Sequence, residues 1–428
     1  MWETVGESRM HKWSSFWPAS AAFSYPNFRL FMSARFLLIA ATEMQAVAVA
    51  WQVYGLTHRP LDLGLVGLAQ FLPGLLLFLV SGHAADRFRR ERIVIFCAGA
   101  WALSSLLLAS LTLHGLQSVF PIYLVLLLNG VIRAFNGPAG QALLPQVVPA
   151  ENFQSAIAWH ASIFQMATIL GPMAGGLLYA FAGSPVPVYC AAAVAYLAGM
   201  VLMGAIRVPR AERRPAGASL ESTLAGIRYI WRSKLVLGAV SLDLFAVLLG
   251  GAVALLPVYA RDILKVGAPG LGLLRSAPGL GAVIMAIVVA HWPLRRRAGA
   301  KMLACVFGFG VFTVVFGLSR NLAVSLIALV LLGALDMVSI IVRQTMVQLA
   351  TPDEMRGRVS AVNSVFIGAS NEVGQFESGI TAQWFGTVPA VVLGGIGTMA
   401  IVLLWMRLFP SLRRIQNLAA PSLVPPAS

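Results

Sequence analysis

The chain has 428 residues, of which 58% are hydrophobic and 11% charged, and its formal net charge is +15. A soluble domain carries about 25% charged residues, so this composition excludes a water-covered globular protein of such length. A nucleic-acid surface is excluded too, because the Lys and Arg residues sit in short segments between long apolar blocks.

The apolar blocks are long enough to cross a hydrocarbon core of about 30 Å, which takes roughly 20 residues of helix. In chain order they predict twelve spans, at 28–55, 62–84, 92–113, 119–142, 153–182, 186–206, 235–259, 269–293, 300–318, 321–346, 359–385 and 387–408. Several connections are only a few residues long, so neighbouring spans run antiparallel. The expected fold is an all-α membrane protein of two six-helix bundles, 28–206 and 235–408. A segment 1–27 precedes them and a polar, Arg-rich linker 207–234 with Pro209 and Pro215 divides them. A tail 409–428 reads as disordered from Pro421, Pro425 and Pro426. In the linker, Leu220, Leu224, Ile227 and Trp231 recur at helical spacing, with Arg228, Arg232 and Lys234 on or near the polar side. That pattern predicts a short helix lying on the inner leaflet.

Orientation follows from the basic residues of the short loops. Of 31 Lys and Arg, four (Arg35, Arg133, Arg275, Arg343) fall inside spans, three or more residues from either end. Four (Arg59, Arg261, Lys265, Arg320) lie on the side away from the termini, and the other 23 lie on the side of the termini. The termini and the linker are therefore expected in the cytoplasm. The first long apolar run continues to about Tyr54, too long for a cleavable signal.

The two halves repeat. Gln141, Pro149, Glu151, Gly171 and Gly176 recur 203 residues later as Gln344, Pro352, Glu354, Gly374 and Gly379. Val53, Tyr54, Gly67, Pro73 and Gly74 recur 205 residues later as Val258, Tyr259, Gly272, Pro278 and Gly279. Two related helical halves form a transporter architecture with the substrate site between them near mid-membrane.

Charge inside a span is expensive, about 2.5–3.5 kcal/mol at a helix centre on insertion scales. Glu43, Asp336 and Glu372 fall near span centres, and Asp243 and Glu377 lie somewhat off centre. These acids are candidates for proton or substrate binding; the alternative is permanent pairing with Arg35, Arg133, Arg275 or Arg343. The offset of 203 carries position 133 to 336, so Arg133 and Asp336 are expected at equivalent depth, facing one central cavity. Asn371 and Gln375 share a face of span 11, which with Asn136 is expected to line that cavity. Cys97, Cys190 and Cys305 show no metal or disulfide spacing and read as buried thiols. The six histidines show no HExxH spacing, and no G-x-S-x-G or P-loop is present. No enzymatic chemistry, cofactor or metal is expected.

The run Gly82-His83-Ala84-Ala85-Asp86-Arg87-Phe88-Arg89-Arg90 ends span 2 and resembles the G-x-L-A-D-R-x-G-R-R loop of the major facilitator superfamily, with Arg89 where the pattern has Gly. Asp86, Arg87 and Arg90 are expected to hold the cytoplasmic gate. Arg133-Ala134-Phe135-Asn136-Gly137 resembles the R-x-x-Q-G motif of proton-coupled drug exporters, with Asn for Gln. Gly171-Pro172-Met173-Ala174-Gly175-Gly176 resembles their antiporter motif, where small residues permit close helix packing or a hinge.

The whole chain resembles one branch of that superfamily, the bacterial enterobactin-exporter-like group. The resemblance rests on Pro26-Asn27-Phe28-Arg29, Ala34-Arg35-Phe36, Ala85-Asp86-Arg87, Leu224-Ala225-Gly226-Ile227-Arg228-Tyr229-Ile230, Gln344-Thr345-Met346-Val347-Gln348 and Thr351-Pro352-Asp353-Glu354-Met355-Arg356-Gly357-Arg358-Val359. It implies proton-driven export of a siderophore or amphipathic drug by alternating access, from a monomer in the bacterial inner membrane. Its partners are then a small-molecule substrate, protons and the lipid bilayer. Lysophospholipid transport, or a sensor that binds without turnover, are the competing readings.

Overall fold

The computed structural model describes residues 22–207, 220–292 and 297–415. Segment 1–21, linker residues 208–219, residues 293–296 and tail 416–428 lie outside the described residues.

Among the described residues, ten helices are long and apolar enough to span a membrane. Two more spans complete the expected twelve. Span 2 is made of Pro60–Leu76 and Phe78–Arg87, interrupted at Leu77 one turn after Pro73. A proline in a helix removes one backbone bond and crowds the preceding turn. Span 11 is the helix Asp353–Phe385, whose polar residues lower its hydropathy. The remaining spans are Pro26–Thr57, Arg90–Leu113, Phe120–Leu143, Phe153–Ala182 and Val186–Gly204 in the first half. In the second half they are Lys234–Ile263, Gly267–His291, Ala298–Leu318, Leu322–Ala350 and Thr387–Leu408. Span 7 is not one regular helix. It stops at Leu249, passes Gly250-Gly251 into a 3-10 turn, and ends in a π-helical turn at Tyr259–Ile263. At Gly251 a β-carbon would stand 2.7 Å from both the Gly374 carbonyl and the Ser378 hydroxyl of span 11, so only glycine lets the two spans touch.

The linker contains the expected amphipathic helix, Leu220–Arg232. Its inner face packs on the start of span 11: Ile230 is buried, Gly226 abuts the Arg358 carbonyl, and the Tyr229 hydroxyl donates to the Ala350 carbonyl at 2.5 Å. Leu224, Arg228, Trp231 and Arg232 are exposed on the other side. The tail is ordered further than its composition suggested. Pro410–Arg414 forms a short helix, and Leu412 and Ile415 are buried against the start of span 9. Two apolar side chains one turn apart gave that segment a face to bury. Of the cysteines only Cys97 is buried; Cys190 is exposed and Cys305 partly so.

The ends nearest the chain termini are here the near ends, and the opposite ends the far ends. At the far ends one buried apolar core runs through both halves, joining Val53, Leu63 and Tyr189 to Leu255, Tyr259, Leu271 and Ala382. Toward the near ends the core divides. Phe28, Val94, Leu143 and Tyr196 belong to a cluster of the first half alone, and Met302, Val342, Trp405 and Leu412 to one of the second. Spans 2 and 11 meet along Gly64, Gly67, Phe376 and Gly379, and spans 5 and 8 along Pro172, Gly176, Ala268 and Gly272. The molecule is a pair of bundles closed at the far side and parted at the near side.

Candidate functional site

The wall between the halves changes from packed to polar at mid-depth. Arg133 of span 4 and Glu372 of span 11 both lie about 20 Å from the far ends of their helices at 1.5 Å per residue. The Arg133 Nη1 donates to Glu372 Oε1 at 2.8 Å, and Gln375 Nε2 donates to Glu372 Oε2 at 3.2 Å. The Arg133 side chain is 59% exposed and that of Glu372 11%. Gly67 of span 2 sits beneath the pair, where a β-carbon would come within 3.2 Å of the carboxylate. A second pair crosses the halves less tightly, Glu43 Oε2 of span 1 lying 3.8 Å from Arg275 Nε of span 8. Opposite charges at 3–4 Å attract strongly where water is sparse, so both pairs favour the arrangement in which the far side is closed.

Small residues of span 5 make this approach possible. Gly171 lies on Glu43 and Ala40, and Gly175 on Met44, so both face span 1. Gly176 faces span 8, where its β-carbon would stand 2.6 Å from the Ala268 carbonyl. Pro172 presents its carbonyl to Gly272. One turn closer to the near side, Ser276 donates to the Ile169 carbonyl at 2.6 Å and Gln165 to the Gly279 carbonyl at 3.0 Å. Neither Gln165 nor Ser276 stood out in the sequence, although a glutamine in an apolar span is itself a signal.

Asp336 is not beside Arg133. Equal depth in two repeats does not fix the direction a side chain points. Asp336 lines a cavity of about 10 Å³ inside the second half, between spans 7, 9 and 10, with Asp243, Ala246, Phe309 and Ser339. That volume is at the lower bound for one water. Asp243 there contacts Arg343, and both side chains are buried, 10% and 3% exposed. Removing one partner of a buried pair strands the other charge, at about 3–5 kcal/mol. Asp243→Ala is accordingly expected to lower unfolding stability by roughly that amount, and adding Arg343→Met to restore most of it. Unfolding in mixed micelles measures both, and an unchanged midpoint for Asp243→Ala would show that the pair carries no stability.

The other candidates are placed as follows. Glu377 accepts from Thr381 Oγ1 at 2.8 Å. Asn371 is exposed and bonds its own backbone, at the Ile367 carbonyl, rather than acting with Gln375. Asn136 is buried, and its Oδ1 has no hydrogen-bond partner. At the near end of span 2, Arg90 donates to the Ala142 carbonyl at 3.0 Å, a contact within the first half, and Arg87 is exposed. The Asp86 side chain lies outside the described residues. Among the described residues no ion pair ties this loop to the second half, as fits a near side that stands open.

The far ends carry a polar latch that the sequence reading treated only as loop charge. The Tyr54 hydroxyl of span 1 donates to Asp262 in the π-helical turn ending span 7. The neighbouring Arg261 guanidinium lies 5.6 Å from the Trp51 ring centroid, a cation–π contact.

A sequence model described as transmembrane secretion effector matches residues 17–425. Enterobactin exporter EntS of Shigella boydii serotype 4 (strain Sb227) is 28% identical over 411 residues, covering 95% of this chain and 98% of that protein. The EntS of Escherichia coli O81 (strain ED1a) gives the same identity and coverage. Among solved structures, a bacterial homolog of the human lysosomal transporter Spinster, inward-facing and unoccupied, superposes with a TM-score of 0.68 at 14% identity, covering 91% of this chain and 99% of that one. A POT family transporter in complex with 5-aminolevulinic acid gives 0.72 at 10% identity, over 91% and 97%. A D-xylose-proton symporter gives 0.67 at 11%, over 91% and 99%. At these identities the structures speak for the major facilitator fold.

Proposed function

Since this chain belongs to the transmembrane secretion effector family and is a transporter of the major facilitator type, we propose that it exports a small organic solute, a siderophore or amphipathic compound, in exchange for protons. The observation that carries this reading is the Arg133–Glu372 bond, which joins the two halves at mid-depth. Opening the far side separates those two charges. A proton on Glu372 lowers the cost of separation by removing one charge, and a solute seated between them lowers it by giving each a new partner. One ligand or the other per passage is the requirement for exchange, and each shifts the equilibrium only by its differential affinity for the two states. The near side is the cytoplasmic side on the basic-residue bias, which places both termini in the cytoplasm and makes the described state one that loads from within. Asp86, Arg87 and Arg90 then hold the near side shut in the opposite state. Asp336, Asp243 and Glu377 are secondary proton sites, and the protein works as a monomer in the inner membrane.

Counterflow in proteoliposomes tests this. With unlabelled enterobactin inside and a trace of labelled enterobactin outside, uptake of label above its equilibrium level is expected with no imposed ion gradient. Binding without such overshoot would support a sensor that does not turn over and would remove the transporter mechanism.

A further inference from the structure

The near half of the first bundle holds a cation without a counter-charge. Arg35 of span 1 is partly buried, and its Nε is enclosed with no hydrogen-bond acceptor. Among the described residues no carboxylate pairs with it: on its own helix Glu43 is about 12 Å further along the axis and engages Arg275. Glu151, at the near end, makes no ion pair with it either. An isolated charge at membrane depth is costly, so this site is incomplete as it stands.

Span 4 faces this guanidinium. At Gly140 a β-carbon would stand 3.0 Å from Arg35 Nη1. Asn136, one turn away on the same face, buries an amide whose Oδ1 is also unpartnered. A half-turn of this amide about its Cβ–Cγ bond aims its Nδ2 donor where the Oδ1 now lies. Two helices thus bring together a guanidinium and an amide, and lack one acceptor.

We propose that Arg35 and Asn136 form a binding site for a compact oxyanion, a carboxylate or phosphate, carried by the transported solute. On span 4 the site lies on the near side of Arg133, about one to two turns along the helix. This deepens the transport reading by naming the charge of the solute, and rests on it. Charge-assisted bonds from a guanidinium fork give such a group both affinity and orientation. The same oxyanion also exists on anionic lipid headgroups.

The test uses the full chain in phosphatidylcholine nanodiscs and reads the thermal midpoint with salicylate, with inorganic phosphate, and with phosphatidylglycerol added to the bilayer. A rise in Tm of several degrees is expected with at least one of these anions. A rise with salicylate or phosphate identifies a soluble anion, and a rise with phosphatidylglycerol alone identifies a lipid headgroup. Asn136→Asp supplies the missing counter-charge internally. It is expected to raise Tm without any anion and to abolish the anion-dependent rise. Arg35→Gln is expected to lose the rise, and Arg35→Lys to keep part of it. No rise in the wild type, or a full rise in both Asn136→Asp and Arg35→Gln, would overturn the site. Counterflow of enterobactin measured in parallel keeps the outcomes separate, since overshoot without anion stabilisation leaves transport standing and removes only this inference.

Discussion

Glu372→Gln is expected to abolish pH-driven transport, by at least about tenfold or ~1.4 kcal/mol in the driven step, while sparing counterflow. The reason lies in what the amide keeps and what it loses. Gln preserves the shape of the side chain and an acceptor for Arg133, so the halves still meet at mid-depth. It cannot take up or release a proton, so a proton gradient no longer biases the parting of the halves. Solute exchange needs no net proton movement and continues. Measured uptake into proteoliposomes with and without a pH step separates the two activities. An unchanged dependence on the pH step in Glu372→Gln would remove this residue from coupling and shift attention to Asp336 and Asp243 inside the second half. Arg133→Ala is expected to affect both activities, because it strands a carboxylate that is 11% exposed and removes the cation a solute would meet.

Much of this fold is legible in the sequence because hydropathy and loop charge act independently along the chain. Span lengths, the division at the linker and the amphipathic helix at Leu220–Arg232 follow from those two patterns. Glu372 was legible as an acid near the centre of its span, and it meets Arg133 at mid-depth although the two come from different spans and different halves. What the repeat could not give was azimuth. Asp336 matches Arg133 in register yet lines a cavity inside its own bundle with Asp243 and Phe309. Asn371 and Gln375 share a helical stripe, but only Gln375 reaches Glu372. The latch at Tyr54 and Asp262 was hidden for another reason. A π-helical turn at Tyr259–Ile263 aims those residues, and such turns have no sequence signature comparable to a run of apolar residues. Arg35 was noticed only as a possible partner for the acids, and the structure shows each of Glu43, Glu372 and Asp243 engaged with a different arginine.

Gly272→Leu is expected to abolish transport and hold the far side open. At Gly272 a β-carbon would stand 2.5 Å from the Pro172 carbonyl and 3.3 Å from the Gly176 Cα, and at Gly176 it would stand 2.6 Å from the Ala268 carbonyl. These are backbone atoms, which cannot rotate away as a flexible side chain does. Spans 5 and 8 must therefore separate to admit the leucine. Overpacking of this kind costs about 1–3 kcal/mol, charged only to the state in which the far side is closed. A difference of that size moves a two-state equilibrium roughly 5–150-fold, enough to empty the closed state when the two are near balance. The Tyr54–Asp262 and Arg261–Trp51 contacts oppose the shift, so Asp262→Asn is expected to add to it. A single cysteine at Ala268, which is 5% exposed, reports the change in a background with Cys97, Cys190 and Cys305 replaced. It is expected to resist an impermeant maleimide added from the far side in the parent and to react readily beside Gly272→Leu. Gly204→Leu is the control, because a β-carbon there meets nothing within 4 Å. Full transport by Gly272→Leu with Ala268→Cys still protected would mean that spans 5 and 8 admit the leucine without parting, and that the close approach at Gly272 does not govern closure of the far side.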